Sequence, residues 1–315
     1  MDEGRGRHVV TGAGPVGATV AMTLAEAGSP VRVVTRSGSG PEHPLVERVR
    51  GDVSDRAQLP TLLAGAEVVH HCIHGSAYDA RVWRAELPGA EQAVMDVAGE
   101  VGATVVFPES LYAYGPVPGP FTEDLPRAAT QGKLGVRAEL LRARAAHPTT
   151  TVSVAASDFF GPRVRTSHAG ERLVPTVLAG RTMRVVGSLD APHSFTYVPD
   201  LAAAMVRAGD GAEPGDTFLH APTAPPVTQR QLVEAVAAAA GVRVPRTAVL
   251  PVPVLRVLGR VSSTMRELAE TGYQFDRPFV LDSSQSQARL GLVPTPWEEQ
   301  VAATVAWWRA QEAAA

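Results

Sequence analysis

Three glycines stand at the spacing G-x-G-x-x-G near the start of this 315-residue chain, in Gly12-Ala13-Gly14-Pro15-Val16-Gly17. A short apolar run, His8–Thr11, precedes them. A run with helical spacing, Pro15–Ala27, follows and stops at Gly28. Between a strand and a helix each glycine has a task. Gly12 permits the tight turn, Gly14 lets the backbone approach an anion, and Gly17 lets the helix settle close to the strand. The free N–H groups and positive dipole end of the helix then face a phosphate. With Pro15 and Val16 opening the helix, the turn is a candidate pyrophosphate cradle for a dinucleotide.

The next apolar run, Val31–Thr35, ends on Thr35-Arg36. Sites that take NAD(H) usually carry an acidic residue there, bonded to the ribose 2′-hydroxyl. Here no carboxylate repels a 2′-phosphate, and the guanidinium fork of Arg36 suits one, which predicts NADP(H) over NAD(H). Asp52 and Val53, after Gly51, are expected at the adenine edge; Asp52 would equally cap the helix that follows.

Such residues need a frame. Strands are expected at His8–Thr11, Val31–Thr35, Val46–Arg50, Glu67–Ile73, Thr104–Phe107 and Thr151–Ala155. Helices are expected at Pro15–Ala27, Asp55–Ala64, Ala80–Val101 (irregular at Pro88-Gly89) and Gln131–Ala146. Strands alternating with helices predict an α/β fold of Rossmann type, a doubly wound parallel sheet with helices on both faces. Beyond Ser157 the pattern loosens. Helices are expected at Arg172–Ala179, Asp200–Ala208, Thr228–Ala240 (with a Thr228/Gln231 capping box) and Pro296–Glu312, and strands at Met183–Val186 and Thr217–Leu219. The expected division is a dinucleotide-binding domain over 1–157 and a smaller C-terminal substrate lobe over 158–315, with a possible return of a strand or helix to the first.

Several later segments carry a family resemblance. They are Val68-Val69-His70-His71-Cys72-Ile73, then Val105-Val106-Phe107-Pro108-Glu109-Ser110-Leu111-Tyr112-Ala113-Tyr114-Gly115, then Phe159-Phe160-Gly161-Pro162, and Phe195-Thr196-Tyr197-Val198-Pro199-Asp200. In order and spacing they resemble the extended short-chain dehydrogenase/reductases, the NAD-dependent epimerase/dehydratase-like group. The resemblance implies cofactor contacts at Cys72 and Ile73, and a catalytic hydroxyl at Ser110. It also implies a Tyr-x-x-x-Lys pair opening the helix near residue 131. Gln131 and Gly135 occupy those two places, and moving the frame to Lys133 puts Ala129 at the tyrosine. Glutamine is no general acid and glycine carries no charge. The proton must then come from another group, for which Tyr112, two residues beyond Ser110, and His74 are candidates. Lys133 and Arg137 are candidates for cofactor phosphate or substrate. Tyr114 is expected to be structural. The family's asparagine and its diphosphate-binding arginine align with Asp158 and His193. Both are candidate substrate contacts, and the lost arginine argues against a nucleotide sugar.

The leading expectation is an NADP(H)-dependent reductase of a carbonyl or similar unsaturated group on a small molecule. The alternatives are an epimerase, isomerase or dehydratase that uses bound cofactor transiently, and a non-catalytic NADP(H)-sensing protein. Net charge is −3 and no basic stripe stands out, so nucleic acid is not expected as a partner. No apolar run approaches the roughly 20 residues that span a bilayer, so no membrane partner is expected. The polar start Met1–Arg7 lacks an apolar signal core and Cys72 is the only cysteine, which together suggest a cytoplasmic setting. No metal is expected at His70, Cys72 and His74, since no second pair of ligands is near. A homodimer through the helices after the fourth and fifth strands is implied by the resemblance alone. Glu267–Phe279, with Glu270, Tyr273 and Phe275, fits either a cleft lid or an irregular surface segment.

Overall fold

The computed structural model describes residues 8–313. The segment Met1–Arg7, on which the expectation of no signal sequence rests, lies outside them. Strand β1 (His8–Thr11) passes through the glycine turn into α1 (Pro15–Glu26), followed by β2 (Val31–Thr35) and β3 (Val46–Arg50). α2 is one turn, Leu59–Leu62, where Asp55–Ala64 was expected. Asp52 and Asp55 accept from Ser54 and Ala57 N–H, and these local bonds hold the first part of that segment in turns. Next come β4 (Val68–His71), α3 (Ala80–Glu100), β5 (Thr104–Ser110), a 3₁₀ turn Leu111–Tyr114, α4 (Gly132–Ala145) and β6 (Thr151–Ala156). α3 is continuous, with Pro88 inside it.

The remaining elements are β7 (Asp158–Phe160), α5 (Val174–Leu178), β8 (Met183–Val186), β9 (Pro192–His193), β10 (Phe195–Tyr197), α6 (Val198–Asp210), β11 (Asp216–His220), β12 (Val227–Thr228), α7 (Gln229–Ala240), β13 (Thr247–Leu250), α8 (Val252–Leu258), α9 (Ser263–Glu270), α10 (Tyr273–Asp276), α11 (Ser284–Leu290) and α12 (Trp297–Ala313). α7 carries the full capping box, Thr228 Oγ1 accepting from Gln231 N–H while Gln231 Oε1 accepts from Thr228 N–H.

The main sheet is seven-stranded and parallel, in the order β11-β6-β5-β4-β1-β2-β3. Its inner strands β1, β4 and β6 are buried on both faces, as a sheet covered on both sides requires, while the edge strand β3 is largely exposed. Val10, Val33, Val106 and Val152 pack with α1 and α6 on one face, and Val9, Val34, Val105 and Phe107 pack with α2 and α3 on the other. The chain reverses direction across the sheet between β1 and β4. A crevice therefore opens at their carboxyl ends, the usual place for a ligand in such folds. A second core joins Phe160, Val177, Val185, Phe195, Val236 and Trp308 beneath the short strand pairs. Trp308 lies within this core with Trp307 packed beside it, in keeping with a packing role. The late strand β11 and helix α6 belong to the main sheet's layers. Among the described residues no helix is long and apolar enough to cross a membrane.

Candidate active site

The cradle is built at the β1–α1 turn. Gly12 takes φ +89°, a conformation side chains resist, and a Cβ there would press on the Cys72 carbonyl at 3.0 Å. A Cβ on Gly17 would overlap the Gly12 carbonyl oxygen, so α1 can start this close to β1 only with glycine there. Gly14, the N-cap, has nothing within 4 Å of its Cβ position. The space in front of it is open to an approaching ligand, and Pro15 at the first helical position removes an N–H that has no helical partner. These residues fit a pyrophosphate. Arg36 is exposed just past β2 and close enough to Glu86 to lower that carboxyl's pKa. Asp52 is half-buried and its carboxylate caps the Ser54 N–H, while Val53 is buried below it. Cys72 and Ile73 line the floor beside Gly12, and burial pushes the Cys72 thiol up to about 12, which leaves it inert.

Ser110 ends β5. Its Oγ donates to Glu109 Oε1 over a long 3.3 Å and accepts from the Tyr112 N–H at 3.4 Å. The strand stops there, so Tyr112 does not reach the cleft by strand alternation, as expected from the spacing; the 3₁₀ turn Leu111–Tyr114 places it instead. Its hydroxyl lies 2.8 Å from that of Tyr78, a residue of the β4–α3 loop that sequence reasoning passed over because it belongs to no motif. Tyr78 also meets Thr271 Oγ1 at 3.3 Å, and the Lys133 ammonium sits 4.4 Å over its ring. Burial raises the Tyr112 pKa well above its ordinary value, and Tyr78 and Asp158 add to the shift. Tyr78 is raised too, by crowding around its hydroxyl, although 40% of the residue is exposed; bonds to Thr271 and Tyr112 and the charge of Lys133 oppose the shift. Both phenols therefore stay protonated near neutral pH. Tyr114 is structural, buried and bonded to His220 Nε2 at 2.8 Å.

The other candidates are placed as follows. His74 is exposed and edge-on to Trp83, its pKa lowered by packing and by Arg137. Lys133 does not face a phosphate or substrate. It is fully enclosed, its Nζ bonded to Glu267 Oε2 at 2.5 Å and to Glu270 Oε2, both from α9. Arg137 likewise turns inward, onto Glu109. At the two positions of the missing pair, Gln131 is the exposed N-cap of α4, and a Cβ on Gly135 would lie 2.5 Å from the Thr130 carbonyl carbon. Helix α4 enters too tightly for a lysine at 135. The segment Glu267–Phe279 is no irregular surface: Thr271, Tyr273, Gln274 and Phe279 are buried.

His193 is buried, stacked on Phe275 and Phe279, with Nε2 2.7 Å from Asp158 Oδ2 and Nδ1 3.1 Å from the Gln274 carbonyl. A carbonyl oxygen can only accept, so Nδ1 carries a proton. Burial alone would raise the Asp158 pKa, but the His193 contact outweighs it and leaves it lowered. His193 is thus committed to Asp158. Among the described residues no group of three or more His, Cys, Asp or Glu is arranged to hold a metal ion.

The chain is similar to a 3-beta-hydroxysteroid dehydrogenase of Mycolicibacterium neoaurum, 26% identical over 234 residues, 67% of this chain. The match spans 63% of that relative's length. Among solved structures, it superposes on dTDP-glucose 4,6-dehydratase from Streptomyces venezuelae with NAD bound, at a TM-score of 0.79, 19% identity and 98% of both chains. It superposes equally on UDP-glucose 4-epimerase from Thermotoga maritima, at a TM-score of 0.76 and 17% identity, covering 97% of this chain and 99% of that one. At these identities the two structures speak for the fold alone. The model of the NAD dependent epimerase/dehydratase family matches residues 8–219, which run from β1 through the glycine cradle, Ser110 and Asp158 to β11. With the cradle, the seven-stranded sheet and that match in agreement, the chain belongs to the NAD dependent epimerase/dehydratase family.

Proposed function

We propose that this protein is an NADP(H)-dependent reductase acting on a carbonyl group of a small, largely apolar molecule. The observation that carries the reading is the Tyr78–Tyr112 hydroxyl pair, with Tyr112 two residues beyond Ser110, in a chain whose usual tyrosine and lysine positions are Gln131 and Gly135. Gly12, Gly14 and Gly17 would hold the pyrophosphate and Arg36 the 2′-phosphate. The bound cofactor supplies the hydride. Ser110 turns its proton from Glu109 to the substrate oxygen and polarises it. The phenol pair supplies the proton that the resulting alkoxide takes up, and the Lys133 charge over Tyr78 stabilises the phenolate left behind. Phenols that remain protonated at neutral pH are in the form that serves as the acid of a reduction.

The pairing of His193 with Asp158 supports the preference for a substrate without a diphosphate, as does the similarity to a hydroxysteroid dehydrogenase. A homodimer through α3 and α4 and a reducing, cytoplasmic setting belong to the same reading; light scattering tests the first. The family match supports a second reading, epimerisation or dehydration with the cofactor restored in each cycle.

Cofactor turnover separates the two. Loss of NADPH absorbance with a panel of apolar ketones, abolished in Tyr78→Phe or Tyr112→Phe, is the expected result. Product formed without net NADPH loss sinks the reductase reading. Calorimetry should show NADPH bound more tightly than NADH, with Arg36→Ala removing the difference; equal affinities in the parent protein overturn the assignment of Arg36.

A further inference from the structure

Large apolar side chains are not exposed evenly over this molecule. Nine are at least 40% exposed among the described residues, and six of them, Val244, Val249, Val254, Val257, Leu258 and Val261, fall in one stretch. Val261 is 88% exposed. The stretch is also the most one-sided in charge. From Gly241 to Arg266 there are five arginines, at 243, 246, 256, 260 and 266, and no aspartate or glutamate, in a chain whose net charge is −3. All five are exposed, and none is paired with a carboxylate among the described residues. Arg184, beside Ala248 across the β8–β13 pair, is exposed as well. In the whole chain, Asp and Glu elsewhere balance this cluster.

The geometry sorts the two kinds of residue. α8 buries Val252 and Leu255 against the protein. Val254, Val257 and Leu258, with Val261 just beyond the helix, have the i, i+3, i+4, i+7 spacing of one stripe. At roughly 100° per residue that stripe points away from the buried side, with Arg260 to one side of it and Arg256 farther round toward the buried side. An apolar crest with exposed cations beside it suits a membrane interface: the crest enters the acyl boundary and the long arginine side chains reach headgroup level. A second copy of this chain is a poorer occupant, because packing the face on itself gathers the arginines of both copies where the stretch has no carboxylate to pair them.

We propose that the β13–α8 face docks on an anionic lipid surface. The expectation of no membrane partner rested on spanning length alone, and a helix lying in the interface needs none. The face runs through the Ser262 cap directly into α9, whose Glu267 and Glu270 close on Lys133. The inference stands on this surface and does not depend on the reaction.

Co-sedimentation of the full chain with phosphatidylglycerol/phosphatidylcholine vesicles, against phosphatidylcholine alone, tests it. Binding to the anionic vesicles, weakened by salt and reduced at least about tenfold in both Val257→Asp/Val261→Asp and Arg256→Glu/Arg260→Glu, is the expected result. These positions are exposed, and an unchanged thermal midpoint certifies the fold of each variant. Three results overturn the proposal: no binding to anionic vesicles at low salt, binding unaffected in either double variant, or a dimer of the parent protein in light scattering that the valine variant abolishes.

Discussion

Arg137 clasps Glu109 through two hydrogen bonds of 2.6 Å, Nε to Oε1 and Nη2 to Oε2, in a fully buried site one residue before Ser110. Arg144 adds a bond of 2.9 Å to Glu109 Oε2 and reaches Glu91 at 2.8 and 2.7 Å, while its guanidinium covers the Phe107 ring. Two carboxylates and two guanidinium groups thus join α3, β5 and α4 under the site, and Glu109 also accepts the Ser110 N–H at 2.7 Å. Burial alone would push the Glu109 pKa up; the two arginines outweigh it and hold it below the ordinary value. Glu109→Gln leaves buried cations short of charge and is expected to cost about 3–5 kcal/mol of stability in urea unfolding. Arg84→Met, which breaks the exposed Arg84–Glu139 pair, is the control and should cost less than about 1 kcal/mol. Equal effects from the two would mean that the buried network contributes no more than a surface ion pair.

Gly14 and Gly17 are predicted to fail differently. A Cβ at 17 overlaps the Gly12 carbonyl, so Gly17→Ala must push α1 off β1 and lower both the melting temperature and cofactor affinity. Gly14 has φ −67° and open space in front of it, so Gly14→Ala leaves the fold unstrained. The added methyl group stands where the pyrophosphate needs to approach, and affinity should fall by at least about tenfold with stability kept. Calorimetric titration alongside thermal melts reads both quantities. A Gly14→Ala protein that binds cofactor as the parent does removes Gly14 from the cradle.

The cradle was legible because its requirements are local: a strand, three glycines and a helix start are written within His8–Ala27. The strands β1, β2 and β3 fall at the expected residues for the same reason, since each is a short apolar run between breakers. What the sequence conceals is long-range. Tyr78 meets Tyr112 across 34 positions, and Lys133 meets Glu267 across 134, with no motif linking either pair. Lys133 looked available because an isolated lysine near a helix start is normally solvated, and only the fold brings α9 onto it. Helical propensity misled at Asp55–Ala64, where aspartates bonded to nearby backbone N–H groups favour turns. The charge of Gly241–Arg266 was readable but hidden in the whole-chain balance.

Acid should destabilise this protein from an unusually high pH. His70 and His71 are buried on β4; burial lowers the first to about 3, with His8 adding, and the second to about 4, with Glu91 opposing. Both are neutral when folded, whereas in the unfolded chain they take up protons below their ordinary value of 6.5. The unfolded state then binds more protons, so stability is full above pH 6.5 and drains away as pH falls toward 4 and 3. Glu109 acts in the same direction lower down: its contribution is present above 4.5 and is lost as pH falls through its depressed folded value. A pKa that differs by one between the folded and unfolded chain is worth about 1.4 kcal/mol. Urea midpoints should therefore drop between pH 7 and pH 5, and His70→Gln should flatten the dependence. Identical midpoints at the two pH values would show that these histidines titrate normally.

The contact of α9 with α4 is predicted to be a latch that can be undone from either side. Lys133 is completely enclosed, and although burial alone would lower its pKa, the hydrogen bonds it donates to Glu267 and Glu270 raise it, so it stays charged. Glu270 Oε1 accepts the Lys133 N–H at 3.0 Å as well, and this is possible only because Gly132 has no side chain: a Cβ there would overlap the Glu270 carboxylate. Lys133→Met leaves two half-buried carboxylates facing each other and should speed amide exchange across Leu268–Thr271. Gly132→Ala keeps the charge but displaces Glu270, and should speed exchange in the same residues. Its φ of +56° adds a backbone cost of roughly 1 kcal/mol, which lowers global stability without singling out α9. Exchange mapped residue by residue distinguishes that uniform loss from local release. If α9 keeps its protection in both variants, the ion pairs are incidental and α9 is held by the packing of Tyr273 and Phe279 behind it.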